Sequence, residues 1–196
     1  MKALSMTQPW ASLVAIGQKK IETRSWRTPY RGLLAIQGAK TWPDGARRLC
    51  FEEPFFEVLH AAKLVEIDPD PALRGLVGVE RLPMGAIVAV AALVDCAPIV
   101  TRERRSLKRR SVAPDEEGLI RVWEPGQIAG ETLIFGDETT PHEASFSDYT
   151  PGRFAWVLRN VRALREPVSC RGYPNIWPVG EELERQIREQ LGEVAA

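Results

Sequence analysis

The chain has 196 residues, enough for one domain with insertions or a tail, and enough to bury about 70% of the surface of its unfolded form. Its 26 basic and 26 acidic residues cancel, which excludes a whole-molecule positive field and leaves only local patches for nucleic acid. Cys50, Cys96 and Cys170 are three and widely separated, and His60 and His142 are the two imidazoles. Neither a disulfide framework, a metal site nor a cofactor is expected from them. There is no signal-peptide pattern and no apolar run of about 18 residues, so the expectation is a soluble, cytoplasmic chain that does not engage a membrane.

Residues 1–6 alternate loosely and predict a first strand. Residues 8–16 predict a short helix. Pro9 suits its first position, where the missing N–H costs nothing, and Thr7 is the better cap. Trp10, Leu13 and Val14 fall on one face, and Gly17 supplies a left-handed stop. Strands at 19–26 and 32–38 follow, joined by a turn that holds Pro29. Residues 44–66 read as a helical flank that Pro54 must break, with Leu49, Phe56, Leu59 and Ala62 as its inner face. The prolines of 68–72 mark a loop.

Residues 86–94 are nearly continuous aliphatics, which suits a strand buried on both faces. The stretch 101–118 has no apolar stripe and reads as a basic surface loop. It either holds a phosphate backbone through Arg104, Arg105, Arg109 and Arg110, or simply solubilises. Strands are expected at 119–124, 132–135 and 153–158. In the last, Phe154, Trp156 and Leu158 share a face, and Trp156 reads as core. Residues 180–193 predict an amphipathic helix, with Leu183, Ile187 and Leu191 at helical spacing.

The densest chemistry follows Gly17. Lys19, Glu22, Arg24 and Trp26 crowd into eight residues, and a strand puts Glu22, Arg24 and Trp26 on one face. The plain alternative is a solvated ion pair, worth about 0–1 kcal/mol, with Trp26 as packing. The binding alternative is a polar site for RNA, which is held by stacking, base-edge hydrogen bonds and basic contacts. Trp10, Trp26 and Tyr149 are its stacking candidates. Gln8 and Gln37 offer donor and acceptor together, and Lys19, Arg24, Lys40 and Arg153 could meet phosphates. In an enzyme, Glu22 would be a general base and Lys19 would stabilise an oxyanion. The flanking Lys19 and Arg24 oppose the raised pKa that such a base needs.

The segment Gly17-Gln-Lys19-Lys-Ile-Glu22-Thr-Arg24, led by Gln8-Pro9-Trp10-Ala-Ser, resembles the ASCH domain family. Arg31 to Lys40, Leu82 to Asp95, Tyr149 to Trp156 and Gly172 to Val179 look like later family segments in order. The resemblance implies an α+β fold, a PUA-like mixed β-barrel with flanking helices, over residues 1–179, with 180–196 as a C-terminal helix. It implies binding of RNA or a modified nucleotide. It also brings two alternatives, since relatives include a ribonuclease, amidohydrolases of N4-acetylcytidine and transcription coactivators. One is a hydrolase; the other is an adaptor whose protein partner docks on the C-terminal helix. Two positions depart from the pattern. Gln37 stands where many relatives carry histidine, and Glu22 stands where the amidohydrolases carry threonine.

Overall fold

The computed structural model describes residues 1–67, 76–77, 81–100, 111–114, 120–123, 133–134 and 142–193. The elements are β1 (Lys2–Met6), α1 (Trp10–Ala15), β2 (Ile21–Arg24), β3 (Gly32–Gly38), α2 (Asp44–Leu49), α3 (Phe55–Ala61), β4 (Glu66–Ile67) and β5 (Leu76–Val77). They continue with β6 (Ala86–Pro98), β7 (Ser111–Pro114), β8 (Ile120–Trp123), β9 (Leu133–Ile134), a 3-10 turn (Glu143–Phe146), β10 (Phe154–Ser169), β11 (Ile176–Pro178) and α4 (Glu181–Gln190). One sheet has the order β11-β1-β3-β6-β10-β2; β4-β5 and β7-β8-β9 are separate ladders. The sheet is mixed, because β1 runs parallel to β3 and antiparallel to β11. A mixed sheet flanked by helices is the expected α+β class.

Contacts divide the chain into two units: Met1–Gly17 with Leu33–Ala91 and Asn160–Ala196, and Gln18–Gly32 with Ala92–Arg159. In the first unit the core gathers Ala3, Ala35, Ile87, Val90, Leu164, Trp177, Val179 and Ile187. Alternation puts Ala3 of β1 and Ala35 of β3 at one register position, and Ala86–Ala91 are all buried, as a two-sided strand requires. The helix α1 follows a cis Gln8–Pro9 bond and has Pro9, not Thr7, at its cap position, with no cap hydrogen bond from Pro9 itself. Gln8 does the capping instead: its Oε1 accepts the Ser12 N–H at 3.1 Å and its Nε2 donates to Pro83 O at 2.7 Å. Gly17 takes φ +75° and ends the helix as expected.

Pro54 breaks the flank between α2 and α3. The buried side chains there are Ala46, Cys50, Phe55, Val58, Leu59 and Val65; Leu49, Phe56 and Ala62 are half-buried. The expected inner face is thus rotated, because a helix restarted at Phe55 sets its own phase. In α4, Ile187 is fully buried and Leu183 and Leu191 pack on the same core. Gln190 fastens the helix to β10 by accepting the Glu166 N–H at 2.9 Å and donating to Glu166 O at 2.8 Å.

In the second unit, β2 pairs antiparallel with β10, setting Ile21 against Val157, Glu22 against Trp156 and Arg24 against Phe154. Its core is Ile21, Ala97, Ile99, Tyr149, Ala155 and Val157. The ladder spans 21–24 rather than 19–26: the Lys20 N–H goes to Glu143, although Lys20 O still accepts from the Leu158 N–H of β10 at 2.8 Å. Residues 111–114 form β7 against β8, where a loop was expected; four residues, Ser-Val-Ala-Pro, are too few to show a period beside the charged run before them. The loop expected at 68–72 and the basic positions Arg104, Arg105, Arg109 and Arg110 lie outside the described residues.

Ile187→Ala should remove about 2–5 kcal/mol of stability by opening a cavity, read as a lower denaturant midpoint. An unchanged midpoint would show that α4 is not part of the core.

Candidate functional site

Lys19 leaves water before β2 begins. It is 1% exposed. Its Nζ donates to Ile21 O at 2.6 Å, to Phe146 O at 3.1 Å and to Ser147 Oγ. Glu22 Oε2 lies 3.4 Å from the same nitrogen, and Glu22 Oε1 lies 2.8 Å from Arg24 Nε. The two cations therefore converge on one carboxylate. Ser147 Oγ in turn donates to Ile21 O at 3.0 Å. The N–H groups of Lys20 and Ile21 meet Glu143 at 2.8 and 2.9 Å. The turn at 143–147 thus supplies partners that a neighbouring strand would otherwise give to the start of β2. Burial raises the Glu143 pKa, against the pull of Lys19 and the two N–H groups. Burial also pushes the Tyr149 hydroxyl well up, with the Glu143 charge adding to it.

The other predicted residues of this unit are held by their own chain. The Trp26 ring meets Trp156 edge-on at 4.5 Å, and its carbonyl accepts from Trp156 Nε1 at 3.4 Å. Tyr149 is in the core. Arg153 Nη2 donates to Thr23 O at 3.2 Å, and its Nε lies 3.3 Å from Asp148 Oδ2.

Gln8, Trp10, Gln37 and Lys40 belong to the first unit. Gln8 is fully buried with both amide ends engaged. Trp10 is half-buried, its ring edge-on to Phe55 at 6.1 Å. Gln37 and Lys40 line a cleft of about 940 Å³, together with Ser5, Arg171, Gly172 and Tyr173. The cleft is bounded by the end of β3, the start of β6 and the chain after β10. Gly38 fits this end only as glycine, because a Cβ would fall closer than 3.0 Å to Pro83 O. Gly85 holds φ +61°, donates to Gly38 O at 2.7 Å and accepts from Cys170 N at 2.9 Å. Lys40 and Arg171 are exposed and place two cations on the rim.

Sequence reading did not assign Glu143, Ser147, Arg171 or Tyr173. The last two had a signal in Arg171-Gly-Tyr-Pro, a cation and a ring around a glycine. Glu143 and Ser147 had none, because they meet Lys19 and its neighbours more than a hundred residues on. Among the described residues, no three His, Cys, Asp or Glu side chains gather as metal ligands, and no helix is long and apolar enough to cross a membrane.

The mixed sheet with flanking helices agrees with the α+β, PUA-like class that the resemblance implied, a fold associated with RNA binding. The ASCH domain profile matches residues 4–168, and the chain belongs to the ASCH domain family. A stretch of 95 residues is 36% identical to Activating signal cointegrator 1 of Mus musculus, covering 47% of this chain and 14% of that protein. A stretch of 41 residues is 51% identical to Activating signal cointegrator 1 of Homo sapiens, 21% of this chain and 7% of that one. The chain therefore matches a small part of each relative's length. Among solved structures it is similar to ASCH from Zymomonas mobilis, at 11% identity and TM-score 0.43, covering 100% of this chain and 95% of that one. A single-residue variant of that protein scores 0.44 at 12% identity, covering 96% of both chains.

Two outcomes test this geometry. Lys19→Met should destabilise by about 3–5 kcal/mol, since it strips buried charges of their partner; a loss below 1 kcal/mol would deny that role. Because the folded state holds the Glu143 proton more tightly than the unfolded chain, this group's contribution to stability should fall as pH rises above 4.5. Glu143→Gln should flatten that fall in urea titrations run from pH 4.5 upward. Parallel curves for the two proteins would contradict it.

Proposed function

We propose that this chain binds RNA or a nucleotide, and that the cleft of the first unit is the binding site. The observation that carries the reading is the meeting of Lys40, Arg171, Tyr173 and Gln37 on one cleft. Cations for phosphate, a ring for stacking and an amide for a base edge are the set that single-stranded nucleic acid needs. With zero net charge on the whole chain, the affinity has to come from such a local set.

Lys19, Glu22 and Arg24 support the fold rather than the ligand in this reading. Both cations face the one Glu22 carboxylate, and Lys19 has its acceptors inside the protein. A hydrolase reading has one observation in its favour, the contact of Lys19 Nζ with Ser147 Oγ. As an ammonium, Lys19 carries donors and no acceptor, and Ser147 directs its proton to a backbone carbonyl. A serine nucleophile needs a base within reach, so binding is the better reading. Turnover of an RNA strand or an acetylated cytidine that Ser147→Ala abolishes would reverse this choice.

Lys40→Ala and Arg171→Ala should each weaken binding of single-stranded RNA similarly for every sequence. Each should lower the log–log salt slope by up to about one unit. The check is fluorescence anisotropy across a salt series. A slope unchanged in both variants would move the site out of this cleft.

A further inference from the structure

Phosphate contacts leave one feature of the cleft unused. Gln37 lies at the end of β3, 1% exposed, and its Oε1 is buried with no hydrogen-bond partner among the described residues. A buried acceptor left unpaired is destabilising, and such a group calls for a reason. Its polar neighbours are already committed. Ser5 Oγ accepts from Trp177 Nε1 at 3.2 Å and donates to Tyr173 O at 3.1 Å. Gly172 presses against the amide: a Cβ there would fall closer than 3.0 Å to both Gln37 Oε1 and Ser5 Oγ. A glycine is thus required for the amide to keep its place.

Beside the amide stands a stacking surface. Tyr173 is 48% exposed. Trp177 meets its ring at 5.3 Å, and the Arg171 guanidinium lies 5.4 Å over the same ring. The ring meets both Trp177 and Arg171, the residue's carbonyl is tied to Ser5, and 48% of the residue stays exposed. A ring held in this way loses little freedom when a flat ligand stacks on it.

We propose that this cleft takes one unpaired nucleobase, stacked on Tyr173, with the Gln37 amide reading its edge. The inference rests on the RNA-binding reading and adds what the cleft recognises. A glutamine amide presents an acceptor and a donor side by side. The adenine N6-amino and N7 edge is its complement, and it supplies the donor that Oε1 lacks. The assignment is therefore a base with an amino group beside a ring-nitrogen acceptor, and adenine is its probe.

The test is anisotropy with short oligoadenylate, oligouridylate and an abasic ribose-phosphate strand of equal length. Wild type should bind oligoadenylate about tenfold or more tightly than the abasic strand and in preference to oligouridylate. Tyr173→Ala should remove most of the advantage over the abasic strand. Gln37→Met should cut the preference for adenine over uracil about tenfold, while the salt slope stays. Equal wild-type affinity for oligoadenylate and the abasic strand, which needs no variant to fold, overturns the base subsite and leaves RNA binding standing. Equal affinity for oligoadenylate and oligouridylate, or a preference that survives Gln37→Met, overturns the reading by Gln37. Absence of binding by every strand at low salt overturns the RNA-binding reading as well.

Discussion

A lysine head taken out of water must find its acceptors inside the protein, and the second unit is arranged around that requirement. Lys19 reaches two backbone carbonyls and a serine. Two of those partners belong to the turn at 143–147, so burying the charge ties the start of β2 to that turn. Glu143 completes the tie from the other side by taking the N–H groups of Lys20 and Ile21. Glu22 then lies where it can face both Lys19 and Arg24. In three dimensions the motif is a knot of two cations on one carboxylate, tied to that turn. Breaking one buried partner leaves the others uncompensated, which makes such a knot specify one arrangement.

The first unit depends on close backbone approach instead. Gly38 and Gly172 each sit where a methyl group would collide, the first with Pro83 O, the second with Gln37 and Ser5. These approaches bring the end of β3, the start of β6 and the chain after β10 to one rim. The bond chain from Trp177 through Ser5 to the Tyr173 carbonyl fixes the segment that carries the exposed ring. The small residues that let the backbone close in also set the buried Gln37 amide and the exposed Tyr173 ring along one cleft.

Helix α4 shows how a terminal segment can be integral to a core. Its apolar stripe buries Ile187 among residues from β1, β3, β6, β10 and β11. Gln190 extends the hold by pairing with the Glu166 backbone as a neighbouring strand would. The charged face of α4 is laced by pairs such as Arg188 with Glu184, at 2.7 Å. Such half-exposed pairs add little to stability. The apolar stripe is the part that holds.

Much of the architecture was legible in the residues. Gly17 marked a helix stop, Pro54 a break, the aliphatic run from Ala86 a two-sided strand, and Leu183, Ile187 and Leu191 a packed helix. Each is a local signal, set by allowed backbone angles or by side-chain period. The residue types of the candidate sites were legible too, including Gln37 and Lys40. What composition could not give was the partner of each group. Nothing in the sequence says that Gln8 caps its own helix, that Lys19 is silenced by a turn 127 residues on, or that Phe55 rather than Phe56 faces inward. It does not say that Tyr173 stands beside Gln37. Those outcomes are decided by which strands pair and where the chain returns, because hydrogen-bond satisfaction is settled between distant segments. The sequence determined the elements and the chemistry available; the tertiary structure decided which polar groups are used up inside and which face a cleft.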